Sequence, residues 1–340
     1  MPELNPSHIM QIGMGFFASK TLLSAVELGL FSELAKRPMT GAEIVTALGL
    51  DARAVPDFPD ALVALKLLER VGDGADARYA NSAESALFLD RDSPAYIGGI
   101  LEMANARLYR FWADLTEALK TGKPQNETKH DGEPFFAKLY AVPERLEQFM
   151  NAMSGASAGN FRAFAEKFDF SRYKTLCDVG GATGQLSCMV AAANPHMRCT
   201  SFDLPNVEPI ATRRIGQAGM SDRVTPVGGD FFVDPLPRAD VITMGMILHD
   251  WNLEKKKALI RKAYDALPPG GAFVVIEALI DDARRENVFG LMMSLNMLIE
   301  FGDAFDYSGA DFTGWCREAG FRSFAVIPLA GPSSAAIAYK

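Results

Sequence analysis

Histidine is scarce in this 340-residue chain: there are four, and one of them, His249 in "MILHDW", stands directly behind an apolar run. An imidazole so placed can move a proton, provided a second group fixes its tautomer. Glu277 is positioned for that task. It ends "AFVVIE", the next short apolar run, and in a twisted parallel sheet the carboxyl ends of neighbouring strands converge on one crevice. A carboxylate on one ring nitrogen would leave the other facing a substrate and would stabilise the imidazolium that forms. Three earlier stretches suit a nucleoside. "DVGGATGQL" sets Asp178, Gly180, Gly181 and Gly184 between a strand and a helix, where glycines let the backbone turn tightly and approach a ligand closely. Asp203, in "FDLP", lies nineteen residues after Gly184, close to the ~20-residue spacing at which an acid meets ribose hydroxyls. "GGDFF" offers Asp230 to an exocyclic amine and Phe231 to an aromatic base. Each also has a plainer reading: a βα turn, a helix-capping Asp, a turn Asp beside a core Phe, a core histidine.

Taken in order, "DVGGATGQL", "FDLP", "GDFF", "LHDW" and "VVIEALI" resemble the S-adenosylmethionine-dependent small-molecule O-methyltransferases, the group of plant phenolic, acetylserotonin and bacterial natural-product enzymes. The resemblance covers nearly the whole chain. It implies S-adenosylmethionine as cofactor, with no metal. It lays Gly180 against that cofactor, Asp203 and the adjoining Leu204 near its ribose, and Asp230 and Phe231 at its adenine. His249 becomes the general base and Glu277 the acid that orients it. A second acid is expected in "GDAFDYSGADF", with Asp306 the best match and Asp303 the alternative. The helix in "VFGLMMSLNMLIEF" would line the acceptor pocket through Met293, Met297 and Phe301, although a Met stripe at helical spacing also reads as core or subunit interface. Trp251 either walls the site or staples a helix capped by Asn252. In one respect the chain departs from the family pattern: Ala182 replaces the third glycine of the loop. Ala182 is expected to be tolerated unless its φ is positive, in which case cofactor affinity is at stake.

These residues need elements to hold them. From about residue 166 to 340, short β-rich runs alternate with helical stretches, as in an α/β fold with a parallel sheet covered on both faces. "FRSFAVIPL" and "SAAIAYK" close the chain, the latter as an antiparallel strand at the end of the sheet. By resemblance this is the Rossmann-like class I methyltransferase sheet. Residues 1–100 read as helix, helix, helix, hairpin, a winged-helix-like order, with Thr40 capping "TGAEIVTALGL" and the third helix in "FPDALVALKLLERVG". The family uses this domain for dimerisation. Residues 101–165 continue as a helical connector, through "YRFWADLTEALKTGKP" and "GEPFFAKLYAVPERLEQFMNAMSGASAGNFRAFAEKF", expected to contribute to the substrate pocket.

Charge bounds the partners. Net charge is 34 − 42 = −8, and residues 1–100 hold eight Lys/Arg against thirteen Asp/Glu, 8 − 13 = −5, so nucleic acid and anionic membrane surfaces are disfavoured. "EKKK", residues 254–257, reads as a solvated helix face. The four cysteines show no zinc spacing, which suits reduced thiols in the cytoplasm. Neither a secretory signal nor a spanning helix is expected. A small aromatic acceptor, a homodimer and a cytoplasmic location complete the expectation. Two rivals belong to other classes. An NADP-dependent reductase would need glycine three residues after Gly184, where Ser187 stands. A transcriptional regulator with a degenerate sensor domain would not need His249 and Glu277. An N- or C-methyl acceptor remains open.

Overall fold

The structure, a computed structural model, describes residues 4–129, 139 and 142–340. It divides into two compact units, Met1–Arg110 and Phe111–Lys340, the boundary falling inside the 101–165 stretch.

In the first unit, helices Ser7–Gly13, Gly15–Glu27 and Leu30–Lys36 lead to β1 (Met39–Thr40), helix Gly41–Leu48 and helix Asp57–Ala64. Strands β2 (Leu68–Val71) and β3 (Arg78–Asn81) follow, and β3 lies between β1 and β2 in a small antiparallel sheet. Thr40 caps its helix as expected, through a capping box with Glu43. The third helix is shorter than its sequence suggests. Leu62, Leu65 and Leu68 keep helical spacing, but Lys66 at φ +62 turns the chain, and Leu68–Val71 becomes a strand of the hairpin. Phe31, Ile44, Leu62, Leu68 and Tyr79 form the core of this unit. Ile9, Ile12, Phe16 and Phe17, by contrast, are exposed.

The second unit carries a seven-stranded sheet. Helix Pro143–Lys167 precedes β4 (Thr175–Val179), β5 (Arg198–Asp203), β6 (Val224–Gly228), β7 (Val241–Gly245), β8 (Ala272–Glu277), β9 (Ser323–Pro328) and β10 (Ser334–Tyr339). The helical expectation over 132–138, 140 and 141 lies outside the described residues. Sheet order is β6-β5-β4-β7-β8-β10-β9. Strands β4 to β8 pair in parallel, and β10 runs antiparallel to both β8 and β9. Thus β10 is antiparallel as expected but sits one place in from the edge, which β9 occupies.

Period-two alternation explains why this sheet is buried on both faces. Ala272, Val274 and Ile276 of β8, with Ala335 and Ile337 of β10, join one hydrophobic cluster. Phe273 and Val275, with Ala336 and Ala338, join the other. The strand order reverses between β4 and β7, and it is outside the carboxyl ends of strands at such a reversal that an open α/β sheet leaves room for a ligand.

Candidate active site

Five of the strand ends, those of β4 to β8, bring candidate residues to this crevice. After β4 the backbone amides of Gly180 and Gly181 donate to the carbonyl of Phe202 at 2.8 and 3.2 Å, which ties the glycine loop to β5. The loop has little room for side chains. A Cβ on Gly181 would overlap Ser201 Oγ and stand 3.0 Å from the Asp178 carbonyl oxygen, while Gly180 and Gly184 hold φ of +72 and +76. Ala182, the departure from the expected glycine, is itself at φ +47. Its methyl therefore carries a strain of roughly 1–2 kcal/mol, offset in part by packing with Leu204 against Leu146, Met150, Val207 and Ile210.

Asp203 ends β5 and anchors this turn. Its Oδ2 accepts from the Ala182 amide at 2.9 Å and its Oδ1 from the Leu204 amide at 2.7 Å. Burial lifts its pKa to about 6 against the pull of those two amides. Each oxygen keeps a further lone pair, which suits a diol. Asp178 is placed differently from the rest of the nucleoside set: it is buried and accepts from Thr243 Oγ1 of the adjoining strand at 2.8 Å, and burial raises its pKa to about 7. At the end of β6, Asp230 accepts from the Phe232 amide at 2.8 Å. Phe231 meets Trp251 edge-on at 6.0 Å, and Phe232 meets it at 4.6 Å. Trp251 thus adjoins the adenine candidates, and Asn252 caps helix Leu253–Ala266 by accepting from Lys255.

Beyond β7, Met246 turns the chain at φ +56, and the short turn Leu248–Asp250 buries His249. The expected contact from Glu277 to the imidazole is replaced by another. One oxygen of Glu277 accepts from the backbone amides of Ile247 and His249, at 3.2 Å each. Glu277 therefore holds the turn, and the ring's neighbours are Asp306, whose Oδ1 lies 3.3 Å from Nδ1, and Asp250, whose Oδ1 lies 3.3 Å from Nε2. Asp303 accepts instead from Asn252 Nδ2 at 2.8 Å. Burial by itself would lower the pKa of His249, but the negative charges of Asp250, Asp306 and Glu277 outweigh it and push it up to about 10. Burial raises Asp250 to about 7 and also raises Glu277.

Helix Val288–Phe301 packs against the His249 turn, and Ser294 Oγ of this helix accepts from the Asp306 amide at 3.2 Å. Met297 is buried, whereas Met293 and Phe301 are half-buried. Three residues at the site have places that the sequence does not announce. Asp250 follows the histidine in its motif, where nothing in the spacing gives it a role. Tyr307, buried beside Asp306, carries no sequence signal. Lys256 is fully buried rather than on the solvated face expected of "EKKK"; its spacing of three, four and seven from the buried Leu259, Ile260 and Ala263 is the signal that marks it as inward.

Comparison with known proteins decides the family. A profile of the O-methyltransferase domain matches residues 112–322, and one of the O-methyltransferase dimerisation domain matches residues 10–91. The chain belongs to the S-adenosylmethionine-dependent O-methyltransferases. This O-methyltransferase is 41% identical over 335 residues to the tetracenomycin polyketide synthesis 8-O-methyl transferase TcmO of Streptomyces glaucescens, covering 98% of this chain and 97% of that one. It is also 36% identical over 321 residues to the N,N-dimethyltransferase OxyT of Streptomyces rimosus, covering 94% and 92%. Among solved structures it is similar to human N-acetylserotonin methyltransferase in complex with S-adenosylmethionine, with a TM-score of 0.91, 30% identity and coverage of 100% and 99%. The cofactor of this O-methyltransferase is S-adenosylmethionine, and the glycine loop, with its lack of space for Cβ atoms and its neighbouring Asp203 carboxylate, fits that group. Among the described residues no cluster of His, Cys, Asp and Glu could hold a metal. Residues Ser7–Glu27 are long and apolar enough, by length and composition alone, to cross a membrane. They form two helices meeting at Met14, and most of the stretch falls within the dimerisation match.

Proposed function

We propose that this O-methyltransferase transfers a methyl group to a hydroxyl of a small aromatic, polyketide-like acceptor, with His249 as the general base. The observation that carries the reading is the imidazole flanked by Asp306 and Asp250 at the sheet reversal, one strand from the nucleoside-binding loop. S-adenosylmethionine, when bound, supplies a methyl group already activated by its sulfonium. The glycine loop, Asp203, Asp230 and Phe231 would hold it. What is left to the protein is to orient the acceptor oxygen, an effect worth ~7–11 kcal/mol in well-aligned intramolecular reactions, and to accept its proton. An ordinary imidazole, near ~6.5, would take a proton from a phenol, near ~10, only at a cost of roughly 5 kcal/mol. With its pKa raised to about 10, a neutral His249 takes the phenol's proton in a nearly level step, and the cost shifts to releasing the ring's resident proton at lower pH.

The helical connector supports a shared acceptor pocket. Trp112 Nε1 donates to Asn296 Oδ1 at 2.9 Å, and Asn126 Nδ2 donates to the Glu300 carbonyl at 2.8 Å, so the connector is bonded to the helix bearing Met293, Met297 and Phe301. The relative TcmO acts, by its name, on a polyketide oxygen, which supports the same class of acceptor here. OxyT, an N,N-dimethyltransferase by name, supports an amine as the second reading. A homodimer formed through the N-terminal domain and a cytoplasmic location belong to the same proposal.

His249→Ala tests it. With a hydroxylated polycyclic aromatic acceptor, kcat should fall by about 10²–10⁴ while calorimetry finds the affinity for S-adenosylhomocysteine unchanged. Weakened cofactor binding with turnover intact would overturn the base assignment.

A further inference from the structure

Lys256 is the buried charge that the chemistry above does not use. It lies on helix Leu253–Ala266 and is wholly buried. A lysine is buried this deeply only where its charge is compensated, and its contacts identify the compensation. Nζ donates to the carbonyl oxygen of Trp251, the residue that closes the His249–Asp250 turn. The same ammonium stands 3.9 Å from the centre of the Phe305 ring and 5.7 Å from that of Tyr307, the two residues on either side of Asp306. One cation therefore touches both chain segments that meet at the imidazole.

We propose that Lys256 is a positioning residue of this site: its ammonium joins the His249–Trp251 turn to the Phe305–Tyr307 loop and places a positive charge among the carboxylates around the imidazole. The groups facing this cluster come from every element packed around it. The turn gives His249 and Asp250, β8 gives Glu277, the loop gives Asp303, Asp306 and Tyr307, and the last helix, Gly309–Ala319, gives Cys316 beside Tyr307. Carboxylates crowded near one imidazole repel each other, and repulsion forces protonation of one of them. A second cation relieves it. Burial lowers Lys256 to about 8, against the pull of Glu277, Asp306, Asp250 and Asp303, and Lys256 in turn holds down the pKa of Asp250, which burial has raised to about 7. Below pH 8 the ammonium is charged, so its removal takes a stabilising charge from Asp250. The lysine needs no contact with the acceptor; it acts through Asp250 and the spacing between His249 and Asp306.

The consequence for catalysis rests on His249 being the base, but the test does not. In protein labelled with ¹³C and ¹⁵N at histidine, the His249 ring, assigned by its absence from His249→Ala, should show an inflection near neutral pH that reports Asp250. Lys256→Met keeps the apolar stem and should move this inflection to higher pH, with affinity for S-adenosylhomocysteine retained. Lys256→Arg should restore its position. Lys256→Gln, which can still donate to the Trp251 carbonyl, should shift it as Met does. An inflection in the Met or Gln variant that coincides with wild type overturns the proposal. Should the neutral variants not fold, the wild-type protein suffices: the Lys256 ¹³Cε resonance must respond to the Asp250 step, and a resonance that ignores that step overturns the proposal equally. A shifted inflection alongside full turnover of His249→Ala would reject the base while leaving the lysine's role standing.

Discussion

His249 owes its chemistry to the carboxylates around it, and their effect has a sign that can be measured. In the role proposed for it His249 must be unprotonated to act, so kcat/KM should rise with pH toward about 10, where burial is outweighed by Asp250, Asp306 and Glu277. Asp306→Asn keeps the shape and removes one charge 3.3 Å from Nδ1; the acid limb of the pH–rate profile should then move down by about one pH unit, and an unmoved limb would deny Asp306 its influence on the ring. The same shift links the ring to folding. A histidine raised from 6.5 to about 10 in the folded state gives stability that is complete below about pH 6.5 and is lost as pH rises through about 10. At this scale the sequence singled out His249, Glu277 and Asp306 as candidates but not which group each touches. Glu277 stands on the neighbouring strand as expected, yet its carboxylate reaches the amides of Ile247 and His249. The left-handed turn at Met246 swings those amides toward it, and nothing in the residue type of Met246 announces that turn.

The glycine loop shows what an element can and cannot tolerate. Gly181 has an ordinary φ, so its constraint is purely spatial: an added Cβ overlaps Ser201 Oγ and meets backbone atoms at 3.0 and 3.2 Å that cannot rotate away. Gly181→Ala should therefore displace the loop. We expect a loss of about 1–3 kcal/mol in stability by thermal unfolding and at least a tenfold weaker affinity for S-adenosylhomocysteine by calorimetry; retention of both would mean that β5 yields more easily than its packing implies. Elements with one strong local signal were legible. Helix Gln185–Ala193, the capped helices at Thr40 and Asn252, and the strands β4, β5 and β8 all lie where periodicity and capping put them. The hairpin strand Leu68–Val71 was not, because four leucines between positions 62 and 68 satisfy helical spacing until Lys66 reverses the chain. Lys256 is hidden for a related reason: a run of four charged residues outweighs the apolar spacing that places one of them inward.

For the whole molecule the dimerisation domain makes the strongest prediction. Phe16 and Phe17 are exposed on helix Gly15–Glu27 and line an open groove with Phe58 and Tyr109. A second chain is the occupant the family's dimerisation domain calls for, and a carboxylate buried at that contact without a partner would cost several kcal/mol. Phe17→Glu should shift sedimentation from dimer to monomer at micromolar concentration, whereas an unchanged dimer would move the contact elsewhere. The amino-acid sequence by itself determined the α/β architecture, the glycine loop after β4 and the candidates at the strand ends, because hydrophobic period, glycine placement and strand-end residues are local properties. Tertiary structure alone decided which acids touch the imidazole, that Lys256 lies beneath them, and that β10 inserts between β8 and β9. Those outcomes depend on distances between segments far apart in the chain, set by how the sheet twists and how two hydrophobic faces pack, and a one-dimensional spacing carries no measure of them.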